Sequence, residues 1–82
     1  PFNPITKINY EISEFGLVNI SIYDLNGRLI NTLINENLNP GNYYSLWKGI
    51  NNNGNFVSSG IYITVLKLGT NKQQIGKMVL LK

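Results

Sequence analysis

A chain of 82 residues has room for one small domain, and residues 1–82 are read here as one. It contains neither Cys nor His, which excludes disulfide staples, thiol nucleophiles, Cys/His zinc sites and imidazole bases. Seven basic and four acidic residues give a net charge of +3, but residues 1–66 sum to −1 and the last sixteen add +4 from Lys67, Lys72, Lys77 and Lys82. The 14 Asn, 11 Ile and 8 Gly against no Ala favour strands and turns over helices, so an all-β domain is expected. No run approaches the roughly 18 apolar residues of a membrane span, so no membrane insertion is expected.

In chain order, Pro1 and Pro4 bias the opening PFNP to extended geometry, as in a linker entering a sheet edge. Ile8, Tyr10 and Ile12 alternate with polar neighbours, the period of a half-buried strand. Ser13 to Gly16 predicts a turn, and Val18, Ile20 and Ile22 predict a second strand. Asn26-Gly27 between two apolar runs predicts a hairpin with a type I′ turn, because both residues tolerate positive φ. Residues 28–34 fit neither the strand nor the helix period cleanly, and the hairpin context favours strand.

Asn35 to Asn42 is read as a turn-rich loop closed by Asn39-Pro40-Gly41. Tyr43, Ser45 and Trp47 alternate as a fourth strand. Gly49 to Asn55 holds four Asn and two Gly and is irregular, with brief pairing of Phe56 and Val57 before the Ser58-Ser59-Gly60 turn. Ile61 to Leu68 reads as a central strand covered on both faces, and Gly69-Thr70-Asn71 as a turn. The last strand runs from Gln73 to Leu81. Six strands and a short seventh describe a small immunoglobulin-like antiparallel β-sandwich.

The ordered string PFNP, IYDLNGR, NPG, LWKG, NNNGN, SSGIY and KMVLLK resembles, across the whole chain, the type A C-terminal sorting domain of type IX secretion substrates. It is also similar to the related immunoglobulin-like domain of flagellar hook-capping proteins. PFNP and the lysine-bracketed KMVLLK favour the sorting domain. The resemblance implies a non-catalytic secretion signal joined to an upstream cargo domain. Its partners would be the outer-membrane secretion and sortase machinery, and its route the periplasm, then the cell surface or medium. It assigns partner contact to Lys77, Met78, Val79, Leu80, Leu81 and Lys82, and structural roles to Gly27, Trp47, Gly49, Gly54, Gly60 and Tyr62. Where the family often has Asp, this chain has Lys48 and Asn51 to Asn53.

Other functional readings compete with bland ones. Asn51 to Asn55 has the outline of a calcium loop, but amides replace the carboxylates calcium prefers, so an asparagine-rich turn is expected, with no metal or cofactor. Trp47, Tyr43, Tyr44 and Tyr62 would make a sugar-stacking platform in a carbohydrate-binding module, although the single Trp is more economically a core anchor. Lysines five apart fall on opposite faces of a strand, so edge protection is expected and nucleic-acid binding is not. The four carboxylates Glu11, Glu14, Asp24 and Glu36 suggest no acid–base pair, and no enzyme is expected. Gly54, in the longer loop, is expected to tolerate substitution better than Gly27.

Overall fold

The structure is a computed structural model that describes residues 5–69 and 72–81; Pro1 to Pro4, Thr70, Asn71 and Lys82, and the expectations attached to them, lie outside the described residues. Alternating apolar and polar residues fold as six strands: β1 (Thr6–Ile12), β2 (Gly16–Tyr23), β3 (Leu29–Leu38), β4 (Gly41–Trp47), β5 (Gly60–Leu68) and β6 (Lys72–Leu80). They form two antiparallel sheets, β1-β4 and β3-β2-β5-β6, packed as a sandwich. Phe56 makes one isolated bridge to Ile50, and the short seventh strand is no more than that.

Two expectations about elements change, and a third point is explained. Asn35 to Asn42 is not a loop: β3 continues to Leu38, so the chain breaks only at Asn39 and Pro40. The polar residues that suggested a turn sit on an edge strand whose side chains reach solvent or polar neighbours, as in the Asn19 Nδ2 bond to Asn35 Oδ1 at 3.3 Å. β5 is central, but only Tyr62, Thr64 and Leu66 on its inner face are buried. Among the described residues no second layer covers its other face, where Ile61 remains exposed. Finally, β2 and β3 pair with register shifts after Ile20 and Ile22, which explains why residues 28–34 follow neither period.

The inner faces meet in two adjoining clusters. One gathers Tyr10, Ile12, Val18, Ile20 and Leu66, the other Ile22, Trp47, Tyr62 and Leu80, and both are flanked by Ile8 and Leu33. Trp47 is 1% exposed and meets Tyr62 edge-on, with ring centroids 5.1 Å apart. Its indole Nε1 donates to the Ile50 carbonyl at 2.8 Å, so the one polar atom of the ring is satisfied inside the core.

The edges of the four-stranded sheet differ. At β3 the Asn52 N–H donates to the Ile30 carbonyl at 2.9 Å and Asn52 Oδ1 accepts from the Thr32 N–H at 3.1 Å, so this loop residue pairs as a neighbouring strand would. At β6 the edge, which pairs with no other strand among the described residues, faces a groove of about 280 Å³ whose other wall is Thr6 to Asn9 of β1 and whose floor includes Thr64 and Leu66.

Trp47→Ala should destabilise the domain by about 3–5 kcal/mol, because it removes a buried aromatic and one of the two hydrogen bonds to the Ile50 carbonyl. Chemical denaturation of wild type and variant measures this. An unchanged midpoint would place Trp47 outside the core.

Candidate functional site

The residues assigned to partner contact occupy β6 and its end, and they are not all buried as a terminal core strand would be. Leu80 is in the core and Met78 packs against it, whereas Lys77, Val79 and Leu81 are exposed. The antiparallel register explains the split. Leu80, Met78, Gly76 and Gln74 oppose Gly60, Tyr62, Thr64 and Leu66 on the inner face, while Val79, Lys77 and Ile75 oppose Ile61, Ile63 and Val65 on the outer face. An apolar row therefore runs across the outer face of β5 and β6, with Lys77 within it and the Lys67–Gln73 pair at its end.

At the sandwich end that carries the β2–β3 and β4–β5 connections, two loops share one construction. In Asp24 to Arg28 the Gly27 N–H donates to the Asp24 carbonyl at 3.1 Å, and the Asp24 N–H to the Arg28 carbonyl at 3.0 Å. In Asn51 to Asn55 the Gly54 N–H donates to the Asn51 carbonyl at 3.0 Å, and the Asn51 N–H to the Asn55 carbonyl at 2.9 Å. The first side chain of each loop accepts two further N–H groups: Asp24 Oδ1 from Asn26 and Arg28, Asn51 Oδ1 from Asn53 and Asn55. This is a type I turn closed by a left-handed glycine, with φ +84° at Gly27 and +82° at Gly54.

Two expectations fall with this geometry. The hairpin turn is not type I′, because no described non-glycine residue has positive φ and Asn26 therefore lacks the angle that turn needs. Gly54 is as constrained as Gly27, since a second three-residue turn nests inside the longer loop. The repeated spacing Asx-x-x-Gly, at Asp24/Gly27 and Asn51/Gly54, was the signal in the sequence. Asn51 Oδ1, at the first ligand position of the calcium-loop outline, already accepts two backbone hydrogen bonds.

The other structural residues are spread over the scaffold. Gly49 is buried and its carbonyl accepts from the Val57 N–H at 2.9 Å. Gly60 opens β5 opposite Leu80, and Tyr62 donates from its hydroxyl to the Ser58 carbonyl at 2.6 Å. Burial, and secondarily the negative charge of Asp24, raise the Tyr62 phenol above its usual range. The aromatic residues do not form a platform: Trp47 and Tyr62 are inside, Tyr43 stacks on Tyr10 with centroids 5.8 Å apart, and Tyr44 lies outside beneath Lys7.

Charge is unevenly placed. Arg28 Nε pairs with Asp24 Oδ2 at 2.9 Å, and the Arg28 N–H, followed by the Arg28 side chain and the Asn26 N–H, lowers the Asp24 carboxyl, with desolvation opposing. The β1–β6 groove is lined by Lys7 and Lys77 and by no carboxylate. What this surface can do chemically is present apolar side chains, free strand edge and positive charge together.

No protein-family profile matches the chain, and no curated protein does. Among solved structures, the crystal structure of FlgD from P. aeruginosa superposes with a TM-score of 0.71 at 21% identity, covering 94% of this chain and 60% of that one. The chain thus has the same fold as part of that protein and spans about 60% of its length.

Gly27→Val and Gly54→Val should cost comparable stability, each about 1–2 kcal/mol or more, because both force a β-branched residue into left-handed backbone. Side-by-side denaturant titrations decide it, and a loss confined to Gly27 would remove the equivalence. Asp24 has its carboxyl lowered by hydrogen bonds to the folded state, so its stabilising effect is present above about pH 4 and is lost as pH falls through the lower folded value. Asp24→Asn should keep the turn, as Asn51 does in the sister loop, and should flatten the acid limb of a melting-temperature profile below about pH 4. An unchanged acid limb would mean that other groups set it.

Proposed function

We propose that this immunoglobulin-like β-sandwich is a non-catalytic secretion address, which directs an attached cargo protein across the outer membrane through the type IX system. The observation that carries this reading is the order of its motifs, ending in KMVLLK. Its geometry is compatible with recognition by protein partners, because Lys77, Val79 and Leu81 are open to solvent while Leu80 anchors the strand in the core. A second reading, an assembly module of the hook-capping kind, draws on the likeness to FlgD, a flagellar hook-capping protein. A carbohydrate-binding module has less behind it, since its two central aromatic rings are buried.

The test is a fusion of signal peptide, reporter and this domain in a host that possesses the type IX system. The reporter should appear outside the cell. Replacing Lys77 and Lys82 with Gln should lower its export while leaving stability within about 0.5 kcal/mol of wild type. A fusion that folds, reaches the periplasm and stays there would overturn the sorting role and favour the assembly module.

A further inference from the structure

We infer that the free edge of β6 is a strand-addition site for an extended, acidic segment of a partner protein. Any four-stranded open sheet has two edges whose outward N–H and C=O groups can template another strand. Here the Leu29 end of one is occupied from within, since Asn52 engages Ile30 and Thr32 of β3. The β6 edge has no pairing strand among the described residues. β6 also matches β5 over nine consecutive pairs with no register shift, which leaves its backbone a regular template. Beside it, Ile75 and Val79 are 66% and 58% exposed and alternate with Lys77, so an added strand would find apolar neighbours for its own outer-face side chains.

Charge chooses the occupant. Residues 37–82 contain no Asp or Glu, so Lys67, Lys72 and Lys77 on β5 and β6 have no carboxylate in their own strands; Lys72 shares a cavity lining with Glu14, while Lys77 and Lys7 face each other across a groove lined by no carboxylate. The one ion pair among the described residues, Arg28 with Asp24, belongs to the β2–β3 turn. A second copy of the chain would bring two lysine-bearing β6 strands together and is disfavoured, while a strand carrying carboxylates gains from the same residues. This site stands apart from whether the module serves export or hook assembly.

The probe is an acetylated nine-residue peptide of alternating valine and glutamate, titrated into the isotope-labelled chain and followed by amide shifts and hydrogen exchange. Alternate β6 amides should become protected. Lys72→Glu combined with Lys77→Glu, both surface changes, should weaken binding roughly tenfold or more with little change in melting temperature. A valine–lysine peptide and a peptide N-methylated at every second amide should fail to bind. Four results would each overturn the proposal: no binding at millimolar peptide, equal binding of the valine–lysine peptide, undiminished binding of the methylated one, or perturbations centred on β3. Concentration-dependent protection of β6 in the peptide-free chain would assign the edge to a second copy instead. An export failure of the reporter fusion leaves all of these readouts intact.

Discussion

The carbonyl of Ile50 is the point on which the two layers depend. Among the described residues β1-β4 and β3-β2-β5-β6 share no strand ladder, so they are held by side-chain packing and by a few hydrogen bonds. Ile50 offers its oxygen both to Trp47 Nε1 of one sheet, at 2.8 Å, and to Asn31 Nδ2 of the other, at 2.9 Å. Each lone pair is used by a different layer. The indole ring is thereby fixed against Tyr62, and Tyr62 in turn ties back through its hydroxyl to Ser58, at the far end of the same irregular segment. Unpaired, a buried N–H of this kind would cost about 1–3 kcal/mol, comparable with a large part of what so small a domain retains.

The segment from Gly49 to Val57 is therefore more than a connection. It supplies the acceptor for both sheets, the three-residue turn that follows Asn51, and the residue that pairs with the Leu29 end of the β3 edge. Its asparagines are used individually, one accepting N–H groups within the turn and the next reaching across to a neighbouring strand. Composition alone shows an asparagine-rich stretch; function within the fold resides in which amide oxygen meets which N–H.

The parts of the fold legible in sequence were those with a clean period. Ile8-Tyr10-Ile12 and Val18-Ile20-Ile22 place their side chains on one face, and Tyr43-Ser45-Trp47 does the same, so β1, β2 and β4 and the core role of Trp47 follow directly. β3 was harder because its bulges break the period and Asn35, Glu36 and Asn37 favour turns in isolation, whereas pairing with β2 overrides that preference. The extent of β5 was readable but its coverage was not, since Ile61, Ile63 and Val65 look alike whether a second layer or solvent lies above them. The open edge at β6 is a property of strand order, which no local pattern encodes.

The carboxylate-free half of the chain has a further consequence. With neither Asp, Glu nor His among residues 37–82, no side chain there is of a type that ordinarily changes charge between about pH 5 and 8. The β5–β6 surface is thus an electrostatic constant over the range in which cells acidify compartments. Proton uptake or release accompanying association at that surface would be a measurement of the partner's ionisable groups, with this side of the complex acting as a fixed reference electrode.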